Sequence, residues 1–178
     1  MPWSCELGLA FVLIGLRPLD LAGVTEPGLV TARAIVQRSA PPTCAVTRPN
    51  GVRYTAEPSG GNYGNDALVT GLWLGGKVVF KPGGAGFVLS DGALSMKFWW
   101  WRLRPGRLKL EGRRLDGPAP PMRASIPDGY GEIGFQSTAL IFPTPGCWEV
   151  TGRVSDASLT FVTLVEKVGE GPTHLDAR

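Results

Sequence analysis

The most regular alternation of apolar and polar positions lies near the C-terminus. From Trp148 to Val154 apolar side chains alternate with polar ones, and the same period returns from Leu159 to Val165. Successive side chains of a β-strand point to opposite faces, so this alternation predicts two half-buried strands. Ser155-Asp156 between them predicts a two-residue turn, and therefore an antiparallel hairpin.

A two-residue turn also determines which residues face one another across the hairpin. The predicted pairs are Val154 with Ala157, Gly152 with Leu159, Val150 with Phe161, and Trp148 with Thr163. In this register the apolar side chains share one face, which supports the pairing. Because Gly152 has no side chain, its position predicts room for a large residue from a second sheet.

Short apolar runs recur upstream and are interrupted by glycine or proline, of which the 178 residues contain 25 and 16. Gly75-Gly76, between Leu68–Leu74 and Lys77–Lys81, predicts a further hairpin. About eight or nine strands with no helix among them are typical of sandwiches and barrels. We therefore predict an all-β fold, an antiparallel sandwich or barrel with an extended N-terminal arm.

Composition divides the chain into four segments. Residues 1–39 form a leader, residues 40–65 a turn-rich arm, residues 66–168 the β-sandwich and residues 169–178 a polar tail. The leader contains the apolar stretch Glu6–Leu16 and a predicted short helix at Thr25–Arg38. The apolar stretch is too short to span a bilayer and lacks a basic start, so an export signal, an unfolded leader and a small packed helix all stay open.

Three cysteines, Cys5, Cys44 and Cys147, give an odd count. Removal of a signal segment would take Cys5 with it and leave a pair suited to one disulfide. A Cys44–Cys147 bond is our prediction, and three reduced thiols in a cytosolic protein are the alternative. The bond favours an extracytoplasmic or secreted location, because disulfides persist in oxidising compartments.

Four stretches resemble a group of uncharacterised bacterial secreted or lipoprotein-type proteins. They are Lys77–Phe80, Ser95–Phe98 with the tryptophans that follow, Leu110–Asp116, and Phe142–Phe161, of which Pro145–Gly152 is the most specific. The resemblance covers about residues 42–168. It implies export and resolves the choice of fold, so we predict an immunoglobulin-like antiparallel β-sandwich with an extended N-terminal arm. It implies no catalytic residue.

A basic, tryptophan-bearing stretch between Met96 and Leu115 is the richest candidate surface. Aromatic faces stack on sugars, and arginines pair with carboxylate or phosphate. We predict ligand-binding roles for Trp99, Trp100, Trp101, Arg102, Arg104 and Arg107. In a strand Trp100 faces opposite to Trp99 and Trp101, so at least one face belongs to the core.

Several kinds of site are disfavoured. The only histidine, His174, lies in the tail, and the cysteines are scattered, so we expect no catalytic triad, no metal and no cofactor. Gly129 to Gly134 matches a dinucleotide fingerprint literally, but a strand is predicted to follow where that motif needs a helix. Asp128 and Glu132 in this glycine-rich loop do not have the spacing of a recognised calcium loop.

The formal charge of +3 is too small to indicate a nucleic-acid partner. We therefore expect a non-catalytic binding or structural module for an anionic polysaccharide, a cell-wall polymer or a membrane surface. Carboxylates are present, so a carboxylate-dependent, glycoside-hydrolase-like enzyme is the alternative. A non-catalytic subunit of a larger assembly is a third interpretation, which an exposed apolar patch would favour.

Overall fold

The structure, a computed structural model, describes residues 43–56 and 61–175, with the side chain of Leu175 excepted. The leader and the helix expected at Thr25–Arg38 lie outside the described residues. The strands are β1 (Tyr63–Gly64), β2 (Leu68–Thr70), β3 (Lys77–Phe80), β4 (Phe87–Leu89), β5 (Leu94–Arg102), β6 (Lys109–Arg114), β7 (Arg123–Ser125), β8 (Gly134–Phe142), β9 (Gly146–Val154), β10 (Ala157–Lys167) and β11 (His174–Leu175). A short 3₁₀ turn covers Leu74–Gly76.

These strands form two sheets. In the first, β5 pairs with β8 along one edge and with β2 and β4 along the other, while β7 pairs with β8, β1 with β2, and β11 with β4. The second has the order β3-β10-β9-β6. With β2, β5, β6, β7, β8, β9 and β10 taken as strands A to G, the sheets read ABED and CFG, the immunoglobulin order. The predicted fold class is therefore confirmed, although β3–β10 and β4–β11 pair parallel.

The closing hairpin has the predicted register at all four pairs, from Val154 opposite Ala157 to Trp148 opposite Thr163. The predicted space above Gly152 is also present. A Cβ at this position would lie 2.6 Å from Cζ3 of Trp100, which reaches across from the other sheet. Gly152 therefore lets the two sheets pack closely around an indole ring.

The predicted Gly75-Gly76 hairpin is wrong. The strand before the glycines, β2, pairs with β5 in the first sheet, whereas the strand after them, β3, pairs with β10 in the second. Both glycines have positive φ, as a tight turn requires. Gly76 also packs against Val46, whose Cβ would be 2.5 Å from an added Cβ. The glycine pair therefore serves a crossing between sheets.

The described part of the arm is fastened to the second sheet. Cys44 and Cys147 are joined by a disulfide, which confirms the predicted pair. The N–H of Thr47 donates to the carbonyl of Val162 at 2.9 Å, and the N–H of Val162 donates to the Thr47 hydroxyl at 2.8 Å. The arm therefore covers the edge of β10 upstream of its pairing with β3.

Two side chains protect the rest of this edge. The Tyr63 hydroxyl donates to the carbonyl of Thr160 at 2.7 Å, and the Asn65 amide donates to that of Ser158 at 2.8 Å. An unpaired strand edge can pair with a strand of another molecule and start aggregation. These two hydrogen bonds occupy carbonyls of the β10 edge and so protect the domain from such pairing.

Strand pairing also extends past both expected domain limits, since Tyr63 pairs with Thr70 and His174 with Val88.

The sandwich has two distinct ends, because β9 and β10 run from one to the other. The disulfide end holds Cys147 at the start of β9, and the cleft end holds the Ser155-Asp156 turn after it. Within the described residues, no helix has the length and apolar character needed to cross a membrane.

Candidate functional site

A cleft of about 530 Å³ opens at the cleft end of the sandwich. It lies between two connectors, residues 103–108 from β5 to β6 and residues 126–133 from β7 to β8. The first of these connectors corresponds to the B–C loop of an immunoglobulin-like sandwich, which is one of the loops that antibodies use for recognition. The charged residues that line the cleft are Arg102, Arg107, Lys109, Asp128 and Glu132.

Arg102 occupies the floor of the cleft. It continues the inward-facing series of β5 that includes Phe98 and Trp100, and only 3% of its surface is exposed. Its guanidinium donates to the carbonyl of Gly106 at 2.9 Å and to the carbonyl of Gly131. Arg102 therefore links the two connectors to each other across the base of the cleft.

The charge of Arg102 lacks a partner of opposite sign. Within the described ranges it forms no ion pair, and its buried Nε–H has no hydrogen-bond acceptor. Buried charges in proteins are usually paired, because removing an ion from water is costly. The floor of this cleft is therefore electrostatically suited to an anion.

The rim of the cleft carries exposed charges. Arg107 and Asp128 form an ion pair of 3.2 Å, with side chains 90% and 93% exposed. Such exposed pairs contribute little and exchange readily with other partners. Lys109 is exposed, lies opposite Arg153 across the strands and has no ion pair among the described residues. Arg107 and Lys109 are therefore available to a ligand.

The three tryptophans predicted to bind a ligand do not form an open surface. Trp100 is wholly buried, which excludes the ring from a surface site and corrects that prediction. Trp99 and Trp101 do lie on the outer face, as alternation requires, but Tyr54 of the arm covers them. The Tyr54 ring stacks on Trp101 with centroids 3.7 Å apart and meets Trp99 edge-on at 6.1 Å.

The six predicted ligand contacts are therefore divided among several environments. Arg102 and Arg107 line the cleft, whereas Trp99 and Trp101 lie under Tyr54. Arg104 pairs with Asp66, lies 3.8 Å from a carboxylate oxygen of Asp156 and does not line the cleft. Only the two cleft arginines remain candidates for contact with an anion.

Sequence reasoning missed two aromatic residues beside the cleft. Tyr130 lines it, and the Phe135 ring lies 5.9 Å away at 56°. They are 39% and 45% exposed. The parity of β8 could have revealed Phe135, because the inward positions Gln136 and Thr138 place residue 135 on the outer face.

The connector that carries Tyr130 is held at several points. Gln136 is buried, and its amide donates to the carbonyl of Pro127 at 3.1 Å, while Arg102 holds the carbonyl of Gly131. The glycines here do not form a dinucleotide site, because Gly134 begins strand β8 and no helix follows. The connector therefore forms a preorganised wall of the cleft.

Several carboxylates of the described residues are already paired with arginines. Glu111 and Glu149 lie on the outer face of the second sheet. Glu111 is paired with Arg153, and Glu149 is paired with Arg113. In the cleft, Asp128 is paired with Arg107 and is 93% exposed.

Two carboxyl groups elsewhere have a lowered pKa. The backbone N–H of Ala93, together with Arg123, lowers the pKa of Asp91. Burial acts to raise the pKa of Asp116, but hydrogen bonds from Arg114 and Cys147 and the Arg114 charge lower it overall. Both groups therefore stay ionised, which suits ion pairing and does not suit proton donation.

Among the described residues, no cluster of three His, Cys, Asp or Glu side chains could hold a metal ion. No protein-family model, curated protein or solved structure matches this chain.

Proposed function

We propose that this protein is an extracytoplasmic, non-catalytic binding module that holds an anionic group of its partner in the cleft. The partner classes that suit it are an anionic polysaccharide, a cell-wall polymer or a membrane surface. Arg102 forms the floor of the site, and Arg107 and Lys109 contact the anion from the rim.

The observation that carries this proposal is the buried guanidinium of Arg102, which has no carboxylate partner. An anion in the cleft would supply the missing charge, and hydrogen bonds to charged groups contribute about 1.5–3 kcal/mol each. Two carbonyls hold the guanidinium in place, so little conformational entropy is lost on binding.

The extracytoplasmic location is supported by the Cys44–Cys147 disulfide. Structural disulfides form and persist in oxidising compartments and are rare in the cytosol. A non-reducing peptide map of protein purified from its native host tests the location, since reduced cysteines at both positions would contradict it.

Binding to immobilised polyanions at low and moderate salt tests the cleft. We expect an Arg107→Ala/Lys109→Ala double variant to bind about tenfold or more weakly, since each lost contact removes roughly 1 kcal/mol. Lys81→Ala/Lys167→Ala is the charge-matched control, because both lysines are exposed and follow or end strands at the disulfide end, Lys81 after β3 and Lys167 at the end of β10. An equal loss in both variants, or no binding to any polyanion, would contradict the proposal.

A further inference from the structure

We infer that the anionic partner is an acidic polysaccharide, whose carboxylates meet the basic residues of the cleft while its sugar rings stack on Tyr130 and Phe135. This inference rests on the proposed function, because it assigns the ligand of the same cleft. It starts from the two aromatic rings beside the basic residues.

Tyr130 and Phe135 form an exposed pair of aromatic rings beside the cleft. Tyr130 lines it, and the two ring centroids are 5.9 Å apart. Ile133, between them in sequence, is 57% exposed. Large apolar side chains clustered on a surface mark an interaction site more often than isolated ones do. Here the cluster lies near Arg102, the only buried arginine of the described residues. One ligand can therefore contact both the aromatic rings and the positive charge.

The same sheet face already stacks a flat ring. Phe135 is the cross-strand partner of Trp101, and Trp101 stacks on Tyr54 at an interplanar angle of 4°. In this contact the arm supplies the second ring. Among the described residues, the only ring contact of Phe135 is its tilted contact with Tyr130. The unstacked surface of Phe135 is therefore open to a ring from a ligand.

The charges of the cleft fit a sugar acid better than a polyphosphate. Asp128 and Glu132 lie among the basic residues, and a carboxylate accepts hydrogen bonds from hydroxyl groups. A sugar acid offers hydroxyl donors, a carboxylate and a ring with apolar patches. A single-stranded nucleic acid also offers rings, but it needs a continuous basic groove that these two carboxylates interrupt. Anionic lipid headgroups and acidic peptides supply charge without a row of rings.

Four probes separate these ligands. They are polygalacturonate, its methyl-esterified form with the same rings and fewer charges, polyglutamate with carboxylates and no rings, and poly-dT. Vesicles of phosphatidylglycerol form a fifth arm. Calorimetry or interferometry at fixed salt, with each variant first shown to fold by its melting curve, supplies the affinities.

We expect the protein to bind polygalacturonate at least tenfold more tightly than polyglutamate, poly-dT or the esterified polymer. Phe135→Ala and Tyr130→Ala should each weaken polygalacturonate binding about fivefold to tenfold. Leu74→Ala is the matched control, because Leu74 is 98% exposed and precedes the sheet crossing away from the cleft. It should change the affinity less than twofold.

Equal binding of the esterified polymer would show that the carboxylates are not recognised and would overturn the inference. Three further outcomes are also decisive. If polyglutamate or vesicles bind as tightly as polygalacturonate, and Phe135→Ala has no effect, the anion site stands and the polysaccharide is rejected. Preference for poly-dT also rejects it. If no probe binds, the anion cleft itself is rejected together with its ligand.

Discussion

The two ends of the sandwich treat their charges in opposite ways. At the disulfide end, Arg114 and Asp116 form a 2.7 Å ion pair with side chains only 24% and 22% exposed. At the cleft end, Arg107 and Asp128 pair at 3.2 Å with both side chains about nine-tenths exposed. One end satisfies its polar groups internally, and the other presents them to solvent.

The two buried tryptophans differ in whether their indole N–H has a hydrogen-bond acceptor. Trp148, beside the disulfide, donates its indole N–H to the carbonyl of Thr144 at 3.0 Å. Trp100, two residues before Arg102, has a buried indole N–H without an acceptor. Unsatisfied buried donors cost stability, so their occurrence at Trp100 and Arg102 places that cost near the cleft. The comparison suggests an end built for stability and an end built for binding.

Removing the disulfide should have the largest effect. The bond closes a loop of 103 residues in sequence separation, for which the chain-entropy relation gives about 4–5 kcal/mol as an upper value. We expect a Cys44→Ser/Cys147→Ser variant to lose about 2–5 kcal/mol in urea unfolding. Anion binding by the folded fraction should be unchanged, and a loss of affinity equal to that of the cleft variants would contradict the division between the two ends.

A pair of glycines compares the packing of the two ends. A Cβ on Gly146 would lie 2.4 Å from Nε of Arg114, whereas one on Gly129 would meet no atom within 4 Å. Both have positive φ. Gly129→Ala should therefore cost about 1–2 kcal/mol from backbone strain alone. Gly146→Ala should add about 1–3 kcal/mol from the clash, and equal thermal unfolding of the two variants would show that the disulfide end is not tightly packed.

A pair of aspartates compares the electrostatics, with a smaller effect. Because the folded pKa of Asp116 is lowered, this group stabilises the protein above its unfolded pKa of about 4. That contribution is lost as the pH falls through the lower folded value. Asp116→Asn should cost about 1 kcal/mol at pH 7 and flatten the acid limb of the stability curve.

Asp128→Asn is the matched change at the cleft end and should stay within about 0.5 kcal/mol at pH 7, as for most surface substitutions. Urea unfolding of both variants from pH 2 to pH 7 supplies the comparison. If the free energy of unfolding depends on pH in the same way in Asp116→Asn and in the unmodified protein, the ion pair with Arg114 does not stabilise the disulfide end.

Local periodicity predicted much of the fold. The alternation from Trp148 to Val165, with a two-residue turn, was sufficient for the whole hairpin register, and Gly152 even indicated a large residue opposite. The same reasoning failed at Gly75-Gly76. A glycine pair satisfies the backbone of a hairpin and of a sheet crossing equally well, and only long-range pairing with β5 and β10 distinguishes the two.

The candidate site was harder to predict, because tryptophan and arginine side chains suit both cores and surfaces. Alternation placed Trp99 and Trp101 on the face opposite to Trp100, but it could not show which face is covered or that Tyr54 stacks on the outer one. Arg102 shares the parity of Trp100, and its burial was therefore implicit in the pattern.

By itself the sequence determined most strands and the hairpin register, since both depend on spacing along the chain, and it predicted the cysteine pair from the number of cysteines. Only the tertiary structure decided which sheet each strand joins and where the cleft forms. Arg102 and Tyr130 are 28 positions apart, and they line one cleft only because β5 and β8 pair side by side and bring their connectors together. Such proximity depends on packing in three dimensions, which a one-dimensional period does not contain.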